Sequence, residues 1–144
     1  MMKDILVSIS GLQYEIDQDE AVEVISVGEY YNRNNKHYVI YEEMVENEYG
    51  QNSITKNTIK ITGNQVEIMK KGPNQMHMVF EENQKNMSYY NTPFGNLLIG
   101  IYTTKIRIKE EDNNLYVQIE YGLDVNYTHV SDCNIKIKVT SKAS

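Results

Sequence analysis

The run Asn114–Asn126, NLYVQIEYGLDVN, constrains the fold more than any other part of the chain. Leu115, Val117, Ile119, Tyr121, Leu123 and Val125 take every second position, and Gln118, Glu120, Gly122 and Asp124 fill most of the gaps. Side chains of a strand alternate between its two faces, so this spacing puts one face in a core and the other in water. Similar runs recur along the sequence, and none shows a comparable helical period of about 3.6 residues. The chain reads as all-β.

The same reading gives about nine or ten strands. Ile5–Gln13 and Val22–Tyr31 come first, with one short helical turn allowed near Asp17–Ala21, where Asp19 can cap. Asn32-Arg33-Asn34-Asn35 makes a hairpin tip, because asparagine tolerates left-handed backbone. Lys36–Glu46 has apolar groups on both faces: Tyr38, Ile40 and Met44 on one, His37, Val39, Tyr41 and Val45 on the other. That predicts a strand covered on both sides, or one end of a barrel wall. Glu48–Asn52 turns the chain, and Ile54–Thr62 pairs with Gln65–Lys71 across Gly63-Asn64. Beyond Gly72-Pro73-Asn74, Met76–Glu82 sets Met76, Met78 and Phe80 on one face. Met87–Asn91 is short and stops at Thr92-Pro93-Phe94-Gly95, since proline has no N–H for a ladder.

Leu97–Lys109 is the longest candidate. Leu97, Ile99 and Ile101 share one parity and Ile106 and Ile108 the other, so the faces switch near Thr103-Thr104, as at a bulge or sharp bend. Asn134–Thr140 closes the chain, with Ile135, Ile137 and Val139 inward and Lys136 and Lys138 outward; Ser141–Ser144 reads as a loose tail. Strands about a dozen residues apart make either a sandwich or a barrel. Closure removes exposed edges and the bend suits a curved wall, so a single antiparallel barrel, closed or nearly closed, is expected.

The 144 residues suit one domain, long enough to bury a core without staples. A net charge of −6 speaks against nucleic acid and against an anionic membrane surface. Cys133 is the lone cysteine, which excludes an intrachain disulfide and favours a reducing cytosol. The opening MMKDILVSISGLQYE is too short in its apolar core and too polar for a signal peptide, and no run is apolar enough for a membrane helix. Twelve tyrosines without a tryptophan suit barrel walls, where a ring packs and its hydroxyl finds a partner.

With the strands placed, an order of motifs stands out. It runs Gly28-Glu29-Tyr30-Tyr31, Tyr38-Val39-Ile40-Tyr41-Glu42-Glu43 and Asn57-Thr58-Ile59-Lys60-Ile61. Spaced Val66, Ile68, Lys70 and Gly72 follow, then Val79-Phe80-Glu81, Tyr90-Asn91-Thr92-Pro93-Phe94-Gly95 and Tyr121-Gly122-Leu123. From Met2 to about Val139 this resembles the YwiB-like family of small bacterial proteins of unknown function. The resemblance implies a calycin- or lipocalin-like antiparallel barrel in a Gram-positive cytoplasm, and it implies no activity. The family pattern has arginine where this chain has Lys70, which keeps the charge and loses the forked geometry.

Tyr41 and Glu43 share a strand face, and Lys70 follows the inward parity of Val66 and Ile68. A lysine and a glutamate inside a barrel could hold a polar ligand head; at a barrel rim they would simply be solvated. His37, His77 and His129 lack zinc-ligand spacing, and Cys133 lies four residues past His129 in what reads as a loop, so neither a metal nor a cofactor is expected. No thiol-protease signature surrounds Cys133. Glu42-Glu43, Glu81-Glu82 and Glu110-Glu111-Asp112 cannot work as catalytic pairs alone, because neighbours on a strand point to opposite faces. Met44, Met69, Met76, Met78 and Met87 fill a core or line an adaptable pocket.

Two readings follow. In the first, the barrel binds a small apolar or amphipathic molecule without catalysis, with Ile119 on its wall and Tyr41, Glu43, Lys70, Tyr90 and Tyr121 as contacts. In the second, a filled barrel acts through its surface, as a protein-interaction module or a homodimer, with one ring exposed from each of Tyr30-Tyr31 and Tyr89-Tyr90. An enzyme, a hydrolase or isomerase using unrecognised residues, is the third and less favoured option.

Overall fold

A computed structural model describes residues 4–10, 23–46, 49–72, 75–92 and 95–141. Ten strands run in chain order: β1 Asp4–Ser10, β2 Glu23–Arg33, β3 Lys36–Glu46, β4 Asn52–Thr62, β5 Gln65–Lys71, β6 Met76–Glu81, β7 Lys85–Thr92, β8 Gly95–Glu111, β9 Asn114–Val125 and β10 Thr128–Ser141. They form one antiparallel sheet in the order β6-β5-β4-β3-β2-β1-β10-β9-β8-β7, curled into a nearly closed barrel. Each strand pairs with the next in sequence, except that β6 forms no ladder with β7 among the described residues, and β1 pairs with β10 as well as with β2. Among the described residues, no helix is long and apolar enough to cross a membrane.

The expected alternation is realised strand by strand. Ile5 and Val7 of β1, Ile59 and Ile61 of β4, Ile68 of β5, Phe80 of β6, Leu115 and Ile119 of β9 and Ile137 of β10 are buried in a single core, while their neighbours face outward. A buried aliphatic side chain stabilises by about 1.5–3 kcal/mol. The parity switch in β8 is a bulge: Thr103 pairs with Tyr121 and Lys105 with Glu120, leaving Thr104 as the extra residue. The bulge points Ile101 and Ile106 to the same side of the wall. The ladder with β7 stops at Tyr102, so beyond it the edge of β8 that faces away from β9 lies open at Thr103 and Ile106, and the β6–β7 turn uses both. Asn83 N–H donates to the Thr103 carbonyl at 2.8 Å, and Ile106 N–H donates to Glu82 Oε1 at 3.2 Å. The Ser88 hydroxyl donates to the His77 carbonyl, so side chain and turn hold the seam that no ladder spans.

Three expectations are corrected. Residues 128–133, read as a loop, are the first half of β10. Asn126 and Tyr127 both take left-handed backbone (φ 49° and 70°) in a tight hairpin, and a bulge between His129 and Ser131 breaks the parity that would have marked the strand. The second face of β3 is not covered, since Met44 is 72% exposed and Tyr38 and Ile40 are half-buried. Methionine therefore splits: Met76 and Met78 fill the core, and Met44 and Met87 face out. Ser141, expected in a loose tail, pairs with Ile5. The short helical turn at Asp17–Ala21 and residues 142–144 lie outside the described residues.

Gly28 sits where β2 crosses close to β3. A Cβ there would lie 2.5 Å from the Ile40 carbonyl oxygen, a backbone atom that cannot swing away. Gly28→Ala is expected to destabilise the protein by about 1–3 kcal/mol, read as a lower denaturant midpoint at unchanged slope.

Candidate functional site

Inward parity on β3, β4, β5 and β6 brings Tyr41, Asn57, Lys70 and Met76 into one cross-strand row, each opposite the next. Glu43 lies one inward step further along β3, opposite Thr55. The row reaches the core through buried Tyr41 and Met76, and Asn57 is fully buried. Lys70 Nζ lies 3.0 Å from Glu43 Oε1, and Asn57 Nδ2 donates to the same oxygen at 2.8 Å. An ammonium placed in an apolar wall needs such a partner, and charge-assisted bonds of this length are the stronger kind. The Glu43 side chain is 20% exposed, so the cluster opens toward the end of the barrel where β3 ends and β4 begins.

The orientation of the Asn57 amide follows from its neighbours. Both atoms near its nitrogen, Glu43 Oε1 and more distantly the Thr55 carbonyl, are acceptors, so the NH₂ must face them. Asn57 Oδ1 is then turned away, buried and without a hydrogen-bond partner among the described residues. Thr103 Oγ1 and Asn86 Nδ2 are in the same condition on the inward parity of β8 and β7. Each such atom carries a desolvation penalty of about 1–3 kcal/mol unless something meets it.

Of the residues expected to make contacts, Tyr41, Glu43 and Lys70 come together. Tyr121 and Ile119 stand on β9, five strands along the sheet from β4. Tyr121 is buried with its ring edge-on to Phe80, centroids 5.0 Å apart, and Ile119 is a fully buried wall residue. Tyr90 pairs with Leu97 through its backbone, and its side chain lies outside the described residues. Sequence reasoning missed Asn57. Its signal was a polar residue at an inward position, two before Ile59 and four before Ile61.

The opposite end of the barrel is tied across. Tyr30 Oη and His37 Nδ1 share a hydrogen bond, and His37 Nε2 lies 3.7 Å from Glu110 Oε2 on β8, a strand that is no neighbour of β3. Burial chiefly holds the Tyr30 phenol above its ordinary pKa; the Asn32 hydrogen bond opposes this and the Glu110 charge adds to it. On the outer face, Lys85 of β7 reaches over Gly100 of β8 to Asp124 of β9, Nζ to Oδ2 2.7 Å, and a Cβ on Gly100 would lie 3.1 Å from Lys85 Cε. His129 Nδ1 adds a contact to Asp124 Oδ1 at 3.4 Å.

Two measurements check these contacts. A double-mutant cycle on Glu43→Gln and Lys70→Met is expected to give a coupling of about 0.5–2 kcal/mol in unfolding free energy; independent sites would add without coupling. The hydrogen bond from Lys85 holds the Asp124 carboxyl below its ordinary pKa of 3.8, against a smaller burial effect. A depressed folded pKa means the unfolded chain takes up the proton first, so this stabilisation is in place above pH 3.8 and is lost as pH falls through the folded value. Asp124→Asn should therefore flatten the acid limb of a stability–pH curve and leave its alkaline limb unchanged.

Comparison with known proteins agrees with this architecture. The crystal structure of the ywiB protein from Bacillus subtilis superposes with a TM-score of 0.75 at 21% sequence identity, covering 98% of this chain and 93% of that one. At that identity the likeness concerns the fold. No match is found among curated proteins. The family model DUF1934, a domain of unknown function, matches residues 7–137, from β1 through the inward stripe of β10. A match over that span, upholding the YwiB-like resemblance read from the motifs, makes this chain a member of the DUF1934 family.

Proposed function

We propose that the barrel binds a small amphipathic molecule and performs no chemistry on it. Its polar end would meet the Glu43–Asn57–Lys70 cluster, and its apolar part would lie along the inner wall toward Met76 and Ile68. This is the calycin- or lipocalin-like mode of use, in a bacterial cytoplasm whose reducing conditions suit the lone Cys133. The reading rests on Asn57 Oδ1, a buried acceptor with no hydrogen-bond partner among the described residues, beside a charge pair at the partly open end of the barrel. A bare acceptor selects a ligand bearing a donor, such as a hydroxyl, amine or amide N–H. A built polar group held at the expense of stability is the pattern expected of a binding site.

A second reading has its own support. On the outer face of β7 and β8, Tyr89 is 68% exposed and lies near exposed Met87 and Tyr102, beside the edge that no ladder covers. Tyr31 is likewise exposed while Tyr30 is buried, so that tyrosine pair presents one ring, as the surface reading requires. This face would serve self-association.

Native mass spectrometry of freshly purified protein, with titration of an environment-sensitive apolar dye, separates the two. The ligand reading expects a co-purifying small molecule or saturable dye binding that Ile119→Trp abolishes. Asn57→Leu should weaken a donor-bearing ligand about tenfold while the melting temperature holds or rises. Equal affinity in Asn57→Leu, or no saturable binding at all, would refute it. A stable dimer that Tyr89→Ser dissociates would favour the surface reading instead.

A further inference from the structure

Away from the barrel interior, a groove of about 450 Å³ runs over the outer face of β1, β10, β9 and β8. Two cross-strand rows line it. Ser10, Lys136, Gln118 and Arg107 stand opposite one another in turn, and Ser8, Lys138, Tyr116 and Lys109 form the next row. Strand spacing of about 4.8 Å and a two-residue step of about 6.8 Å make the patch roughly 14 Å by 7 Å. Four cations share it, and none of its lining residues is a carboxylate. The chain as a whole carries a net charge of −6, so this is a local reversal of sign.

The four cations are not equivalent. Lys109 Nζ has Glu111 Oε1 at 3.2 Å, and Lys138 Nζ stands 5.8 Å over the Tyr116 ring. Arg107 and Lys136 have no ion-pair partner among the described residues. They flank Gln118 in one row, about 9.6 Å apart at the backbone, a gap that two long side chains can close over a single anion. Like charges facing each other across the intervening β9 on one face of the sheet repel, and a bound anion would turn that repulsion into attraction. Serine hydroxyls and the Gln118 amide supply neutral donors at the same level.

We infer that this outer groove binds a compact oligophosphate, free or carried on a small molecule. Charge count and size argue for this class. Three cations remain after Lys109 is matched with Glu111, which complements a di- or triphosphate, and the groove volume is that of a small-molecule site. A long polyanion fits less well, because its path beyond the patch runs past Glu111, Asp112 and Glu120. The guanidinium of Arg107 offers the forked geometry suited to phosphate oxygens. Alternation keeps this site on the opposite side of the wall from Asn57, so it stands whether or not the interior holds a ligand.

The test is titration of the full chain with inorganic tripolyphosphate and, separately, adenosine triphosphate, followed by amide NMR shifts. Expected is saturable binding that weakens with salt, with shifts confined to Ser8–Ser10, Arg107–Lys109, Tyr116–Gln118 and Lys136–Lys138. Comparable affinity for the two probes assigns the recognition to phosphate; tighter binding of the nucleotide assigns part of it to the carried group, and either supports the site. Arg107→Gln with Lys136→Gln should weaken binding about tenfold at an unchanged melting temperature, while Lys56→Gln on β4 leaves it unaltered. Absence of saturable binding, shifts scattered over the barrel, or full binding by the double variant would overturn the inference. So would tighter binding of an RNA oligonucleotide with shifts spreading past these four strands.

Discussion

The ladder between β1 and β10 carries the architecture. Because β6 and β7 share no ladder among the described residues, the chain would otherwise be two meanders, β1–β6 and β7–β10, joined by one short turn. Pairing Ile5 with Ser141 and Ile9 with Ile137 makes them one sheet. It also brings Ile5, Val7 and Ile9 into the same buried surface as Ile135, Ile137 and Val139. Each inner face is apolar and useless alone, so the pairing and the core form together. The contact joins opposite ends of the described chain, so its loop-closure entropy is large and its formation late in folding is the physical expectation.

The seam between β6 and β7 is managed without a ladder. Past Tyr102, where the β7 ladder ends, Thr103 and Ile106 of β8 bond to the β6–β7 turn, while Ser88 reaches the His77 carbonyl. Lys85 is pinned across Gly100 to Asp124, which ties the edge strand to β9. Edge strands invite pairing with other chains, and a short β6, a twisted β8 and a charged clasp blunt that hazard.

The two ends of the barrel are treated differently. At one, Tyr30, His37 and Glu110 join strands that are not neighbours. At the other, a carboxylate, an amide and an ammonium meet within hydrogen-bond distance, and an acceptor is left facing inward. An apolar replacement there is expected to be as stable or more so, because a buried acceptor without a partner costs stability. Outside the wall, alternation builds an independent surface on β1, β10, β9 and β8, and the cations of β8 and β10 gather on it.

Period-two alternation decided a great deal before any tertiary contact was known. It determined the all-β class, the strands from Lys36 to Lys71 almost to the residue, the bulge beside Thr103 and the inward parity of Lys70. These depend only on which way successive side chains point, a local property of an extended backbone. Where a second bulge and a hairpin with Tyr127 in left-handed backbone disturbed that period, the start of β10 was illegible. Parity names a face and not the partner across it. Only the curled sheet could set Asn57 and Lys70 on the same oxygen of Glu43, span His37 to Glu110, or line up Lys136 with Arg107 over Gln118. Those meetings join residues far apart in sequence, and their distances are fixed by the register and curvature of the whole wall.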